Sequence, residues 1–155
     1  MQFRRARADD AQQIINLLNQ VLAVHHQIRP DIFLKSGSKY TKEQVIDIIA
    51  NLETPILVAE DNAQVIAYAF LVINKVESST YLCDKKSLYI DDLCVLEGYC
   101  HKGIGGKMLD YVLAFAKDEG ITQVTLNVWE GNTPAINFYK QKGFTPLKTT
   151  LELEI

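Results

Sequence analysis

The sequence predicts a single α/β domain in which helices cover a mixed sheet, and three observations support this class. The chain has 155 residues, which is a usual size for one domain. Its hydrophobic fraction of 48% and charged fraction of 23% are typical of a folded globular protein. The patterned segments follow the order β, α, α, β, β, β, α, β, α, β. Hairpins come first and βαβ units later, which implies a mixed sheet.

The first half of the chain contains three predicted strands and two predicted helices. Asp9 or Asp10 caps a helix whose apolar residues recur with a period near 3.6, and the sequence at 29–31, Arg-Pro-Asp, ends it. Thr41 can cap a second helix, which ends before Pro55. The strands are predicted at residues 2–7, 56–60 and 65–76, with a hairpin turn at 61–64.

The second half alternates strands and helices. A strand over residues 87–95, rich in Tyr, Ile, Leu and Val, leads through a loop at 97–103 into an amphipathic helix that closes near Gly120. A short helix over 134–142 ends at Gly143. Further strands are predicted at residues 122–128 and, as one or two strands, at 144–154. No repeat or composition break divides the chain, so we expect one domain over residues 1–155.

Charge and cysteine content exclude several classes of function. The 16 basic and 19 acidic residues give a net charge of −3, whereas a protein that coats nucleic acid is usually basic. Cys83, Cys94 and Cys100 lack the spacing of a zinc site, so we expect reduced thiols and no metal. No segment has the roughly 20 apolar residues of a membrane span, and no signal-peptide core follows the start. We therefore expect a cytoplasmic protein without membrane or nucleic-acid partners.

A glycine-rich segment, CHKGIGGK at residues 100–107, joins a predicted strand to a predicted helix. Glycines allow a ligand to approach the backbone, the helix start adds positive potential, and His101, Lys102 and Lys107 can add more. The segment is therefore a candidate pyrophosphate cradle, or alternatively only a flexible entry to the helix. Met108 stands where a P-loop has Ser or Thr and where the dinucleotide fingerprint has its third glycine, so neither motif fits.

The residues around this segment resemble the GNAT superfamily of N-acetyltransferases. LYIDDLCV at residues 88–95 and GYCHKGIG at 98–105 resemble its strand and [RQ]-x-x-G-x-[GA] signature, except that Cys100 replaces Arg or Gln. NTPAINFYKQKGF at 132–144 resembles N-x-x-A-x-x-F-Y-x-x-x-G-F, and RARADDA at 5–11 resembles a GNAT start. The resemblance covers essentially the whole chain. It implies a mostly antiparallel sheet of six to seven strands flanked by about four helices.

The resemblance also implies a binding site for acetyl-CoA as co-substrate. Pantetheine would lie along the strand, which in the family carries a bulge that opens an acetyl slot. His101 or Lys102 would partly replace the side chain lost at Cys100. Asn132 would orient the thioester or, alternatively, cap a helix. The implied contacts are Leu93, Cys94, Val95, Cys100, His101, Lys102, Gly103, Ile104, Gly105, Gly106, Lys107, Asn132, Ala135, Phe138 and Tyr139.

The resemblance assigns candidate catalytic residues as well. Tyr139 matches the family tyrosine that protonates the departing thiolate; alternatively it only packs on the last helix. Asp91 aligns with a strand glutamate that serves as base in polyamine-type relatives, and Asp92 is its neighbour. Because adjacent strand residues point to opposite faces, we expect at most one of the two to face the acetyl slot. Alternatively, one is a surface carboxylate and the other forms a salt bridge.

The acceptor site is the least defined part of the prediction. The resemblance places His25, His26 and Phe33 at its wall, and Trp129 can edge the cleft. Alternatively, the histidines only favour the helix dipole. We expect acetyl transfer to a primary amine of a small molecule or peptide by direct transfer in a ternary complex, with a homodimer as the assembly. The alternative is a noncatalytic acyl-CoA-binding or regulatory module on the same fold.

Overall fold

The computed structural model describes all 155 residues and confirms the predicted α/β class. Its five strands are β1 (Gln2–Arg5), β2 (Ile56–Asp61), β3 (Gln64–Val76), β4 (Lys85–Val95) and β5 (Gln123–Leu126). They form one sheet in the order β1-β2-β3-β4-β5. The first three pairings are antiparallel and the pairing of β4 with β5 is parallel, so the sheet is mixed and mostly antiparallel.

The chain has four α-helices. Two lie between β1 and β2 in the sequence, one lies between β4 and β5, and the last follows β5. The four helices are α1 (Ala11–Ile28), α2 (Lys42–Ala50), α3 (Ile104–Asp118) and α4 (Thr133–Gln141). Thr41 caps α2 as predicted, because its Oγ1 accepts a hydrogen bond from the Gln44 amide at 3.2 Å. None of these helices combines the length and the apolar character that a membrane crossing needs.

Two apolar clusters, one on each face of the sheet, form the core. On one face, α1 and α2 pack on β2, β3 and β4 through buried residues that include Ile14, Leu17, Val45, Val58, Tyr68 and Phe70. On the other face, α3 packs on the same strands through residues that include Met108, Leu109, Val112, Leu57, Leu71 and Leu88. These central strands therefore have apolar side chains on both faces of the sheet, which explains the apolar run of β3.

A register shift in β4 interrupts this alternation. Phe70 of β3 lies opposite Asp92, but the next residue, Leu71, lies opposite Ile90, so Asp91 is one extra residue in β4. Such a bulge bends the strand and increases its twist. The bulge falls where β4 stops pairing with β5, at Ile90. Beyond it, the edge of β4 that faces β5 is open.

The strand prediction for residues 144–154 is wrong, and the sheet has five strands rather than six or seven. Residues 145–155 form no regular element, and all of them are exposed. Leu151 and Leu153 alternate with acidic residues as in a strand, but their side chains remain 89% and 86% exposed. Glu152 instead pairs with Arg29, just after α1, at 2.7 Å. Alternation of apolar residues therefore does not by itself establish a strand.

An ion-pair network fixes the N-terminal corner of the sheet. Arg4 of β1 donates two hydrogen bonds to Asp10, at 2.7 and 2.9 Å, and its Nε donates to Glu60 of β2 at 3.0 Å. Asp10 also accepts from the Arg7 amide at 2.7 Å, so the chain turns here and β1 ends at Arg5 instead of residue 7. Burial raises the pKa of Asp10, but the hydrogen bonds from Arg4 and Arg7 outweigh it, and the net shift is downward.

We predict that Asp10→Ala destabilises the protein by about 2 kcal/mol at pH 7, because Arg4 loses a buried partner and keeps only Glu60. Since folding lowers the pKa of Asp10, its stabilisation is complete above the unfolded value and disappears as the pH falls through the folded value. The difference from wild type should therefore shrink below about pH 4. Urea unfolding at pH 7 and pH 3 measures it. Asp9→Ala, at an exposed neighbour, is the control and should change little; an equal loss there would contradict the prediction.

Candidate active site

The parting of β4 and β5 creates a notch in the sheet. The two strands pair only from Ser87 opposite Gln123 to Ile90 opposite Leu126. After Ile90, β4 continues to Val95 with only β3 as a partner, so its other edge presents unpaired backbone groups. Leu93 and Val95 pack toward the α3 layer, whereas Cys94 is buried in the α1 layer. An open strand edge of this kind can bind an extended, amide-containing ligand by strand addition.

The glycine loop follows at the end of this strand and opens α3. Gly103 precedes the helix with φ of +76°, a left-handed conformation that disfavours side chains. The six amides from His101 to Gly106 donate to no protein acceptor. Buried Ile104 anchors the loop to the core. Six free amides at the positive end of a 15-residue helix form a site for an anion.

The side chains around the loop only partly replace the missing family residue. Cys100 turns its thiol toward the carbonyl oxygens of Val95 and Leu96, each 3.6 Å away, so it faces the end of β4. Lys102 donates to the Gly98 carbonyl at 2.9 Å, while His101 and Lys107 are exposed. Lys142, which the sequence did not single out, adds a cation beside Gly106: it donates to the Gly106 carbonyl at 3.4 Å and to Asp110 at 2.8 Å.

Both candidate carboxylates lie on the face covered by α1 and α2, and not on opposite faces as the alternation of a regular strand predicts. The bulge is the reason, because the extra residue breaks the alternation of sides. Asp91 accepts a hydrogen bond from Lys39 at 2.6 Å. Asp92 accepts one from the hydroxyl of Tyr68 at 2.9 Å. Asp91 is thus neutralised by a cation, whereas Asp92 has only a neutral donor.

The surroundings of Asp92 raise the pKa of its carboxyl group. Burial raises the pKa of Asp92 to about 6, while the hydrogen bond from Tyr68 and the charge of Lys39 act against this and Asp91 adds to it. Burial and the same carboxylate raise the pKa of Tyr68 far above its usual value, so the phenol stays a donor. A carboxylate with a pKa near neutrality suits a group that takes up and releases a proton.

Tyr139 lies on α4 and packs against the α3 side of the core. Its ring packs edge-on against Phe138 and Phe144, with ring centroids 5.1 and 5.6 Å away. Its hydroxyl makes no hydrogen bond with the protein and is not sealed from solvent. Burial, followed by the charge of Asp92, raises the pKa of Tyr139 to about 12. Tyr139 is therefore a protonated, unpaired phenol within the electrostatic range of Asp92.

An aromatic wall forms beside the notch from three of the predicted acceptor residues. Phe33 packs on His25 with centroids 4.8 Å apart, and on the edge of Trp129 at 5.4 Å. Burial, together with the charge of Lys39, lowers the pKa of His25. His26 instead donates through Nδ1 to the Phe33 carbonyl at 2.8 Å, which fixes the turn after α1.

The loop that carries Trp129 approaches α1 closely because of a glycine. A Cβ on Gly131 would lie 2.8 Å from Cγ2 of Ile28, a distance that real Cβ atoms do not show. The Asn132 side chain accepts from the Ala135 amide at 3.3 Å, so it caps α4. Asn132 and Ala135 thus position α4, and with it Phe138 and Tyr139.

Besides Lys142, the sequence did not identify three further residues of the site: Lys39, Tyr68 and Gln20. Lys39 pairs with Asp91; burial lowers the pKa of Lys39, but the hydrogen bond and charge of Asp91 outweigh it, and the net shift is upward. Gln20 of α1 donates to the Val95 carbonyl at 2.9 Å and accepts from the Glu97 amide at 3.0 Å, which holds the end of β4. Gln20 interrupts the apolar stripe of α1 and Tyr68 lies in the apolar strand β3, so both could have been noticed in the sequence as polar groups in apolar surroundings. Lys39 lies in a polar loop, where a lysine is not unusual.

Comparison with known proteins identifies the class to which this fold and site belong. The model of the acetyltransferase (GNAT) family matches residues 21–144, and the chain belongs to this family. An uncharacterized N-acetyltransferase of Bacillus subtilis (strain 168), YhfO, is 27% identical over 144 residues, which are 93% of this chain and 89% of that protein.

Solved structures agree with this assignment. A tetramutant of the BH1408 protein from Bacillus halodurans superposes with a TM-score of 0.94 and 26% identity, over 100% of both chains. The aminoglycoside N-acetyltransferase AAC(6')-Iy, solved in complex with CoA, has a TM-score of 0.71 and 12% identity over 99% of this chain and 98% of that one, and it shares the fold.

We predict that Asp92→Asn stabilises the protein more at pH 8 than at pH 4. The folded pKa lies above the ordinary value of 3.8, so the native state holds its proton longer than the unfolded chain. Wild-type stability therefore falls as the pH rises from about 4 to about 6, by roughly 2 kcal/mol, and an uncharged Asn avoids this loss while still accepting from Tyr68. Urea unfolding across this range is the measurement, with exposed Asp118→Asn as control. A constant difference between wild type and Asp92→Asn would contradict the assigned shift.

Proposed function

We propose that this protein is an acetyl-CoA-dependent N-acetyltransferase that acetylates a primary amine by direct transfer in a ternary complex. The observation that supports this most is the electrostatic coupling of Asp92 and Tyr139, two groups whose pKa values are shifted in a way that suits acid–base chemistry. Their pKa values are shifted to about 6 and about 12, so one is ionised and the other protonated at neutral pH. A binding module needs neither a poised base nor a poised acid, whereas amine acetylation needs both.

The notch and the loop have the chemistry that coenzyme A requires. Six free amides from His101 to Gly106 suit its pyrophosphate, with Lys102 and Lys142 as nearby cations. The open edge of β4 from Leu93 to Val95 suits the two amides of pantetheine. When bound, acetyl-CoA supplies the activated acetyl thioester. The AAC(6')-Iy structure, which contains CoA, has the same fold and is consistent with this assignment.

Asp92 is the proposed general base. Its Oδ2 accepts from Tyr68, and no other side chain donates to the carboxylate, so it retains free acceptor positions. An ammonium must lose a proton before its nitrogen can attack, and Asp92 takes it, directly or through a water. Asp91 is less suited to this step because Lys39 already binds it at 2.6 Å.

Tyr139 is the proposed general acid. The hydroxyl has no protein partner, so it is free to donate to the departing sulfur. Packing against Phe138 and Phe144 fixes the ring, which limits the conformations from which the proton is delivered. Phe138 lies beside Gly105: a Cβ atom on Gly105 would be 3.8 Å from Cζ of Phe138. The ring pair of Phe138 and Tyr139 is therefore in contact with the glycine loop through Phe138. The acid and the cofactor cradle are therefore held by one packing contact.

The acceptor amine is proposed to enter along the aromatic wall of His25, Phe33 and Trp129. The lowered pKa of His25 keeps its imidazole neutral, and Lys39, whose charge contributes to that shift, binds Asp91, so the entry is aromatic with carboxylates in the same region. Such a surface suits a cationic acceptor, since aromatic faces and carboxylates both attract ammonium groups.

We predict that Tyr139→Phe lowers kcat by about 10²–10⁴-fold, the usual effect of a positioned acid, because it removes only the proton donor. Coenzyme A affinity and thermal stability should change little, since the ring remains. Thiol release from acetyl-CoA with a panel of amines and peptide N-termini measures kcat, and calorimetry measures affinity. Tyr111→Phe, on the far side of α3, is the matched control. A loss of less than about tenfold would exclude Tyr139 as the acid; no activity of wild type on any amine, with CoA still bound, would favour the noncatalytic alternative.

We also predict that kcat of wild type rises between about pH 5 and pH 7, as Asp92 ionises with its pKa of about 6. In Asp92→Asn this limb should disappear and the remaining kcat should be lower by about 10²-fold or more. The pH profile of kcat at saturating acceptor measures both effects. An unchanged acidic limb in Asp92→Asn would show that another group is the base.

A further inference from the structure

We propose that Cys94 and Cys100 are joined by a disulfide bond when the protein is exposed to a peroxide, and that this bond weakens the binding of an anion at the glycine loop. The two cysteines are then an oxidation site that the proposed acetyl transfer does not use. Three features of the structure support it: the meeting of the two thiols at one carbonyl group, their unequal access to solvent, and the position of Cys100 at the start of the loop.

The two thiols meet at the end of β4. Cys94 lies within this strand, and Cys100 follows the short 3₁₀ turn Glu97–Tyr99, which brings the chain back. The Sγ atoms of both cysteines lie 3.6 Å from the same atom, the carbonyl oxygen of Val95. The two sulfurs are therefore separated by no more than twice that distance. Because each thiol rotates about its Cα–Cβ bond, a disulfide requires only a local adjustment of the turn.

The surroundings of Cys94 favour it as the second of the two cysteines to react. It is only 5% exposed, and burial raises the pKa of its thiol far above the usual value, so it remains a neutral thiol that a dissolved oxidant does not reach. Gln20 donates from Nε2 to the Cys94 sulfur at 3.4 Å and to the Val95 carbonyl at 2.9 Å. This amide therefore stabilises the negative charge that develops on the Cys94 sulfur when it attacks.

Cys100 is the first to react because its side chain is partly exposed. Its sulfur attacks one oxygen of hydrogen peroxide, the O–O bond breaks, and a sulfenic acid and water form. The sulfur of Cys94 then attacks the sulfur of Cys100, the S–O bond breaks, and the hydroxyl group leaves as water with the proton of Cys94. One S–S bond thus replaces two S–H bonds, and the peroxide is reduced to two water molecules. Cys83 is also exposed, but it precedes β4 at the opposite end of the strand.

The disulfide acts on the glycine loop because Cys100 directly precedes it. The next residue, His101, has φ of +60°, and Gly103 has φ of +76°, so both hold the left-handed conformation. Few other arrangements are open to a backbone with such angles, least of all at a residue that is not glycine. A bond that draws Cys100 toward Cys94 therefore displaces the amides that begin at His101. Oxidation and anion binding oppose each other, and each weakens the other to the same extent.

The disulfide is tested by mass spectrometry of the whole protein. Reduced protein is treated with hydrogen peroxide, catalase removes the excess, and iodoacetamide blocks the remaining thiols in denaturant. We expect oxidised wild type to have lost two hydrogen atoms and to take up at most one blocking group, at Cys83, whereas the reduced chain takes up one at each of its 3 cysteines. Cleavage after Glu97, between the two cysteines, should give two peptides that stay joined until dithiothreitol is added.

Three variants test the order of the reaction. Cys83→Ala is the control and should form the disulfide as wild type does. In Cys94→Ala the reaction should stop at the sulfenic acid of Cys100, which dimedone labels, and Cys100→Ala should leave Cys94 as a free thiol. If one of the last two variants fails to fold, as thermal unfolding would show, the other still tests the order. The disulfide is overturned if wild type keeps Cys94 as a free thiol after peroxide treatment, or if the joined peptides contain Cys83.

The effect on the loop is measured by calorimetry with desulfo-coenzyme A, which lacks the thiol that would reduce the disulfide. We expect oxidised wild type to bind it about fivefold or more weakly than reduced wild type, the lower end of typical couplings between two sites, and dithiothreitol to restore the affinity. Cys100→Ala should lose no affinity on peroxide treatment. Equal affinities of the oxidised and reduced wild type would overturn the effect on the loop. If reduced wild type does not bind the probe, the proposed cofactor is contradicted, and the mass measurement still decides the disulfide.

Discussion

The extra residue at Asp91 in β4 is the constraint on which the rest of the site depends. It ends the pairing with β5 after Ile90, which opens the notch, and it rotates two consecutive carboxylates to one face of the sheet. A regular strand would place Asp91 and Asp92 on opposite faces of the sheet. The two apolar clusters keep β4 fixed on both sides of the bulge, so the irregularity is held by packing and does not relax.

The sequence predicted most of the fold because local signals were strong. The Thr41 cap, the positive φ of Asn62 and Ala63 in the β2–β3 turn, and the glycine at 103 each determine the backbone within a few residues. The bulge was expected only from the family resemblance, since the register of β4 depends on its pairing with β3 and not on the residues of β4 alone. Residues 144–154 show the opposite failure, because apolar alternation predicts a strand there but the segment pairs with no strand of the sheet.

The residues of the candidate site also differ in how well the sequence predicts them. Tyr139 and the glycine loop belong to contiguous motifs, so their positions could be predicted from sequence. Lys39 and Tyr68 lie 52 and 24 residues from the carboxylates that they bind, and no short pattern connects them. The functions of Asp91 and Asp92 differ because of these distant partners. Sequence alone could therefore propose two acids, but not that one is held by a cation and the other by a phenol.

Burial is the main cause of the raised pKa values of both Asp92 and Tyr139, and this affects the order of proton transfers in the proposed reaction. Burial disfavours charge on both groups, and the negative charge of Asp92 adds to the pKa of Tyr139. Before reaction, this charge keeps the phenol protonated. Once Asp92 has taken the proton of the amine, its charge is gone, and the contribution that held the proton on Tyr139 disappears with it. The phenol thus becomes a stronger acid at the stage when the sulfur needs a proton, so the order of the two proton transfers follows from the electrostatic coupling between Asp92 and Tyr139.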